Sequence, residues 1–190
     1  MNRRTALKGI FGVAGIGAIS LTSYKYFLGG AKHSRGQLKG QYELISELVE
    51  VIIPKTDTAG AKEAKVQDYV INYMEDCASN KEYNNFLNGL LDIQEESNIS
   101  FGSSFVKCNK IQKVELINKL GGGSSSSGLL TKISNKISGR SFFDLLRTLT
   151  VEGYCTSSLG ATQLLEYRPV PGYYNAITNL KSNQKAWALK

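Results

Sequence analysis

The stretch VQDYVINYMEDC, residues 66–77, decides the fold, because it shows the cleanest helical pattern in the chain. Its apolar side chains recur every three or four residues, which places them on one face of a helix. The predicted buried face consists of Val66, Tyr69, Val70, Tyr73, Met74 and Cys77. This pattern predicts an amphipathic helix that packs against other helices.

The segments on either side of this helix have the same period. Upstream, an apolar face runs from Leu44 to Ile52, and Pro54 ends that helix because a proline disfavours the α conformation in the residue before it. Downstream, Ser79 and Glu82 have the spacing of a capping box and predict the start of a third helix. The predicted buried residues of this third helix are Tyr83, Phe86, Leu87, Leu90 and Leu91.

Two further helices complete the pattern. A shorter one over residues 109–120 has its predicted apolar face at Ile111, Val114, Ile117 and Leu120. A last, strong one carries Phe142, Leu145, Leu146, Leu149 and Gly153. Since no run alternates with period two, strands are not predicted. The sequence therefore predicts an all-α helical bundle.

The remaining segments set the predicted domain organisation. We assign residues 1–30 to an export signal, 31–40 to a stalk and 41–190 to a single helical domain. The Gly and Ser tract predicts a long irregular insertion, a flexible loop over residues 121–139. The prolines near residue 170 predict an extended C-terminal arm.

The amino terminus has the features of a twin-arginine export signal. Arg3 and Arg4 are followed by Leu7 and Lys8, and then by an uncharged, glycine-containing run from Gly9 to Tyr24. Sixteen residues are short for spanning a bilayer, which takes about 20. This combination predicts recognition by the twin-arginine translocase and delivery to the periplasm. The pattern leaves open whether the segment is removed or stays as an anchor in the inner membrane.

The distribution of charge argues against nucleic-acid binding. The formal net charge is +7, but seven basic residues and no acidic one precede Gln41. From Gln41 onward, 16 basic residues face 16 acidic ones, so the body is formally neutral. A nucleic-acid-binding domain would carry its surplus on a folded face.

Motifs for cofactor, metal or catalytic chemistry are missing from the sequence. There is no nucleotide-binding glycine motif, no C-x-x-C-H haem motif and no nucleophile elbow, and the single histidine, His33, precedes the predicted body. We therefore predict a chain that is not an enzyme and binds no cofactor or metal.

Three cysteines occur in the body. In the oxidising periplasm we predict one disulfide, Cys77 to Cys155, with Cys108 free. The alternative is that all three are reduced, buried thiols.

Two irregular segments are candidate partner-binding regions. The first runs from Ile52 to Ala61, and the second runs from Glu152 to Ala161 and continues into a Tyr- and Pro-rich arm that ends at Tyr174. Tyr and Arg are the usual anchors of protein interfaces. The alternative is a tail that packs on its own bundle.

Three motifs in these segments resemble the gluconate 2-dehydrogenase subunit 3 family. They are I-I-P-x-T-D-T-x-G-A at residues 52–61, G-Y-x-T-S-x-x-G-A at 153–161 and P-V-P-G-Y-Y at 169–174. The similarity extends from about Tyr42 to Tyr174. That family comprises the small subunits of periplasmic flavin-dependent sugar and polyol dehydrogenases.

The resemblance implies a large partner of the glucose–methanol–choline oxidoreductase class, which carries the FAD and the active site. A cytochrome c subunit would accept the electrons. The small subunit would bind the large one, help it mature and carry it through the twin-arginine translocase. The rival interpretation is a self-standing, membrane-tethered enzyme or binding module of the cell envelope. The predicted partner-binding residues are Pro54, Thr56, Asp57, Thr58, Gly60, Tyr154, Thr156, Gly160, Tyr167, Arg168, Pro169, Pro171, Gly172, Tyr173 and Tyr174.

Overall fold

Five α-helices make up most of the computed structural model, which describes residues 34–121, 140–170, 172, 177, 179, 180 and 182–188. The helices are α1 (Tyr42–Ile52), α2 (Val66–Asp76), α3 (Asn80–Phe101), α4 (Lys110–Gly121) and α5 (Phe142–Thr156). Short 3-10 turns lie at Leu38–Gln41 and Phe105–Lys107, and a π-helical turn lies at Gly160–Leu164. No strand occurs among these described residues, and the all-α prediction is confirmed.

The helix ends follow local chemistry. Helix α1 ends at Ile52, two residues before Pro54, and Ile53 has already left the helical conformation. The predicted capping box of α3 is present: the Ser79 hydroxyl accepts from the Glu82 backbone, and the Glu82 carboxylate accepts from the Ser79 backbone. Gly102 ends α3 with φ +62°, a conformation that glycine adopts without steric cost.

Helix α5 lies at the centre of the bundle. It packs against α1, α2 and α3, and buries Leu145, Leu146 and Leu149 almost completely. Its partner α2 runs antiparallel to it. Gly153 near the end of α5 lies against Val66 and Tyr69 at the start of α2, and Arg140, just before α5, donates to the hydroxyl of Tyr73 in the second half of α2. The close α2–α5 approach at Gly153 sets the position of the loop that leads into α2 and of the loop that follows α5.

The buried face of α4 differs from the prediction. Ile111 and Val114 are 79% and 47% exposed, and Leu91 on α3 is 49% exposed, although all three were predicted to be buried. The face that α4 buries instead includes Lys113, whose ammonium pairs with Glu47 at 2.7 Å and lies over the Phe105 ring. A lysine can cover apolar surface with its stem when its charge is paired, and a hydrophobic pattern does not foresee this.

Residues 34–40 are part of the helical unit, which corrects the predicted stalk for that range. Leu38 is fully buried. The Arg35 guanidinium donates to the carbonyls of Met74, Glu75 and Ala78 at the end of α2. These carbonyls have no partner inside the helix, and the helix dipole favours a cation there.

The structure contains no Cys77–Cys155 disulfide, since Cys77, Cys108 and Cys155 are all free thiols. Cys77 follows the end of α2 and is exposed rather than on the buried stripe, whereas Cys155 lies at the far end of the antiparallel α5. The length of α5 separates the two positions by about 20 Å. A disulfide requires Cα atoms within about 7 Å, so the geometry argues against the predicted pair.

Two predicted features of the region between α3 and α5 lie outside the described residues. They are the side chain of Leu120 and the predicted loop from residue 122 to residue 139.

Candidate partner-binding site

The loop after α1 is organised by one carboxylate. Glu50, in the last turn of α1, accepts hydrogen bonds from the backbone N–H of Lys55 at 3.0 Å and of Lys62 at 2.9 Å. Both ends of the loop are thereby tied to the helix that precedes it. Residues 54–57, around the first of these ties, are exposed.

Gly60 allows this loop to close over Glu50. A Cβ atom at position 60 would lie 2.5 Å from Glu50 Oε2, closer than nonbonded atoms approach. Gly60 is buried, so its role is the close approach of backbone to carboxylate. The structure thus gives Gly60 a role in the scaffold, and its contact with a partner stays a prediction.

Both backbone polar groups of Ala59 bind side chains of the second motif segment. The Tyr154 hydroxyl donates to the Ala59 carbonyl at 2.5 Å, and Gln163 Oε1 accepts from the Ala59 N–H at 2.8 Å. Tyr154 and Ala59 are both buried. Two segments nearly a hundred residues apart in the sequence therefore form one rigid junction, which we call the Ala59 junction.

The chain after α5 tightens into a π-helical turn at this junction. Leu165 donates to the Gly160 carbonyl at 3.1 Å, and Gly160 itself donates to the Ser157 hydroxyl at 2.9 Å. A Cβ atom at Gly160 would collide with the Tyr154 carbonyl. Gly160 and Tyr154 therefore build the junction from inside, and a direct contact of either with a partner stays a prediction.

The arm that leaves the π-turn pairs with the end of the chain. Glu166 exchanges backbone hydrogen bonds with Ala186 and Ala188, at 2.8 and 3.1 Å, in an isolated parallel bridge. The Arg168 guanidinium lies 4.7 Å from the ring centroid of Trp187 and pairs with the Glu166 carboxylate at 2.7 Å. The arm therefore has a defined conformation as far as Arg168.

The predicted contact residues separate into an exposed group and a buried group. The exposed members are Pro54, Thr56, Asp57, Thr156, Tyr167, Arg168, Pro169 and Gly172, while Thr58 is half-buried. Gly60, Tyr154 and Gly160 are buried and hold the scaffold. Pro171, Tyr173 and Tyr174 lie outside the described residues, as do Arg3, Arg4, Leu7 and Lys8 of the export signal.

Three residues that organise this region were not predicted. Glu50 and Gln163 hold the loop, and Trp187 stacks on Arg168. For Glu50, the visible signal in the sequence was a carboxylate in the last helical turn before Pro54. Nothing in the sequence pattern pointed to Gln163 or Trp187, since their partners lie 104 and about 20 residues away.

A second charged cluster ties the same loop to α1 and α4. Glu47 pairs with Lys113 at 2.7 Å and with Lys62 at 2.5 Å. Burial alone would raise the pKa of the Glu47 carboxyl, but the hydrogen bonds and charges of the two lysines outweigh it and lower that pKa. The Glu47 hydrogen bond in turn raises the pKa of Lys62. The cluster stabilises the fold while Glu47 is ionised.

Cofactor and membrane features were also sought in the described part of the chain. There, no three His, Cys, Asp or Glu side chains are placed to hold a metal ion. Within the same residues, every helix is too short or too polar to cross a membrane.

These observations define a small all-α protein whose candidate functional surface is built from loops on a helical scaffold. The chain matches the family model for gluconate 2-dehydrogenase subunit 3 over residues 39–172 and belongs to that family. The match covers both motif segments, the Ala59 junction and the arm as far as Gly172. Searches of curated proteins and of solved structures found no match.

Proposed function

We propose that this chain is a non-catalytic small subunit of a periplasmic, flavin-dependent sugar dehydrogenase complex. Its partner is a large subunit of the glucose–methanol–choline class, which carries the FAD and the active site. The small subunit aids maturation of the large one and takes it through the twin-arginine translocase. A cytochrome c subunit would complete the electron path.

The observation that carries this proposal is the Ala59 junction. The motif segments at 52–61 and 153–161, which lie within the family match, meet there through Tyr154, and Gln163, two residues after the second segment, binds the same Ala59. The junction presents the exposed loop tip at residues 54–57 and the exposed arm at 167–170 from a buried, hydrogen-bonded base. A rigid base lowers the entropic cost of binding, which suits a constitutive contact between subunits.

The helix faces are less suited to this contact. The apolar stripes of α1, α2 and α5 are buried in the bundle's own core. A stripe that stabilises the fold cannot also contact a partner. The exposed loop and arm, with Tyr167 and Arg168, have the composition of interface anchors.

Export by the twin-arginine route fits this role because that route moves folded proteins. The paired arginines of this chain would serve the whole complex if the large subunit has no signal of its own. The neighbouring reading frame in the native genome gives a first check of that condition.

Co-purification from the native host tests the proposal. A tagged chain should recover a flavin-containing large subunit, and Arg168→Ala and Tyr173→Ala should each cost about 2 kcal/mol or more of binding. Circular dichroism of each variant alone should match the wild type. Wild-type chain that recovers no flavoprotein would refute the proposal, and unchanged recovery by both variants would move the interface away from the arm.

A further inference from the structure

The large apolar side chains that are exposed concentrate near the carboxyl end of the chain. Twelve such side chains occur among the described residues, and half of them lie between positions 164 and 187. These six are Leu164, Tyr167, Val170, Ile177, Leu180 and Trp187. Leu164, Tyr167 and Trp187 belong to the bridge between Glu166 and Trp187 or lie within two residues of it, and an exposed apolar patch marks an interaction surface.

Trp187 is held in place within this surface. Its backbone neighbours pair with Glu166, and its ring stacks against the Arg168 guanidinium at 4.7 Å. The Lys185 ammonium donates to the Gln163 carbonyl at 2.5 Å, and Gln163 also belongs to the Ala59 junction. The segment that carries Trp187, the only tryptophan in the sequence, is therefore linked to the Ala59 junction through Lys185 and Gln163. The Trp187 side chain nevertheless remains 41% exposed.

The same region carries a surplus of positive charge. After Glu152 the sequence contains one acidic residue, Glu166, and four basic ones, Arg168, Lys181, Lys185 and Lys190. The Glu166 carboxylate is already paired with Arg168. An occupant of this surface must therefore combine an apolar recess with acidic groups around it.

We propose that Trp187, stacked on Arg168, is a central anchor for the large subunit, and that it inserts into an apolar recess rimmed by carboxylates. This rests on the proposed function and specifies its interface. It places the anchor beyond residue 172, outside the region that the family match covers. Trp and Arg are the residues most enriched at the energetic centres of interfaces, and here they lie in direct contact.

A protein surface suits this site better than a membrane surface. Lipid-binding segments use clusters of four to eight neighbouring Lys and Arg residues. Here the basic residues after position 152 are spread from position 168 to position 190. The Arg168 guanidinium already contacts both Glu166 and Trp187. The stacked Arg168 and Trp187 side chains have one fixed geometry, which suits a complementary recess on a protein surface.

Radical footprinting of the free chain and of the co-purified complex tests the proposal. Oxidation of Trp187 should slow in the complex, while that of Tyr42, exposed to a similar degree at 43%, should not change. Trp187→Ala should weaken retention of the large subunit on dilution about 30-fold, and Trp187→Phe should restore most of it. Ile111→Ala, which truncates an exposed apolar side chain of α4, is the control and should bind like the wild type.

Charge reversal tests the acidic rim. Lys185→Glu should weaken the complex and Lys185→Arg should not. A complex that forms normally while Trp187 stays unprotected, or that is indifferent to Trp187→Ala, overturns this inference and leaves the proposed function standing. Failure of the wild-type chain to recover any large subunit would contradict both the proposed function and this inference. Trp187-dependent binding of the free chain to phosphatidylglycerol vesicles, with the complex unaffected by Trp187→Ala, would assign the surface to lipid instead.

Discussion

At the scale of single residues, the Ala59 junction depends on side chains that satisfy buried backbone groups. A buried carbonyl without a donor costs more than a surface hydrogen bond contributes, because no water replaces the lost partner. Tyr154 fills this role for Ala59, and its hydroxyl is as important as its ring. The Glu47 cluster is the other site where one side chain ties several elements together.

Tyr154→Phe should therefore destabilise the fold by about 1–3 kcal/mol, since it leaves the Ala59 carbonyl buried without a donor. Urea unfolding measures the change. Tyr167→Phe is the matched control: Tyr167 is exposed, and its variant should stay within about 0.5 kcal/mol of the wild type. Equal effects of the two substitutions would contradict the assigned role of the Tyr154 hydroxyl.

The Glu47 cluster predicts a defined response to acid. The folded-state pKa of Glu47 is below its ordinary value of 4.5. The contribution of Glu47 to the free energy of unfolding is therefore present above pH 4.5 and is lost as the pH falls through the folded-state pKa. Glu47→Gln should lower stability at neutral pH and should lose less stability than the wild type between about pH 5 and pH 3. Some acid dependence should persist, because the pKa of Glu82 is also lowered: burial would raise it, but hydrogen bonds from Arg140 and Ser79 prevail.

Urea midpoints measured across this pH range check the prediction. Glu95→Gln, at an exposed position on α3, is the control and should follow the wild-type curve. Parallel curves for Glu47→Gln and the wild type would show that the cluster does not contribute.

At the scale of elements, the packing of α2 on α5 positions both motif segments. Gly153 allows the two helices to approach closely, and the loops that form the Ala59 junction leave from this same end of the pair. Burial of the Tyr69 hydroxyl here, with the neighbouring Glu152 carboxylate, raises the pKa of Tyr69. A change in the spacing of α2 and α5 would therefore shift the loops that form the Ala59 junction.

Gly153→Ala should cost about 1–3 kcal/mol, as overpacking of a close contact does. The added Cβ would lie 2.7 Å from Tyr69 Cδ1 and 3.1 Å from Val66 Cγ1. At Gly40 an added Cβ meets nothing within 4 Å, so Gly40→Ala should remain close to the wild type. Thermal unfolding followed by circular dichroism compares the two, and a Gly153→Ala variant as stable as Gly40→Ala would show that the helix spacing adapts freely.

At the scale of the whole molecule, the folded unit begins close behind the predicted export signal. Arg35 is already bound to the end of α2, and Leu38 is already in the core. Few residues therefore separate the predicted signal from the body.

Replacement of both Arg3 and Arg4 by Lys should leave this protein and its large subunit in the cytoplasm, since the pair is the recognition element of the proposed signal. Fractionation of the native host, with immunodetection of both subunits, measures the outcome. The control is a double replacement of Lys107 and Lys110 by Arg, which also preserves charge. This control should not affect export. Normal periplasmic delivery of the Arg3, Arg4 variant would remove the twin-arginine assignment.

The sequence by itself determined where the helices lie and which class of fold they form. The stripe from Val66, the stop at Pro54 and the capping box at Ser79 act within a few residues, so local periodicity and backbone chemistry were sufficient to predict them. The three motifs of the candidate site were also visible in the sequence, and the first of them lies between two helices, as predicted.

Only the tertiary structure decided which side of α4 is buried and which motif residues face outward. Lys113 is buried because Glu47 on another helix pairs with it, and Ile111 is consequently exposed. Gly60 and Tyr154 serve the scaffold because Glu50 and Ala59 lie against them, and Cys77 and Cys155 are apart because α2 and α5 run antiparallel. Each outcome depends on a partner distant in sequence, and a single side chain's periodic position carries no information about such a partner.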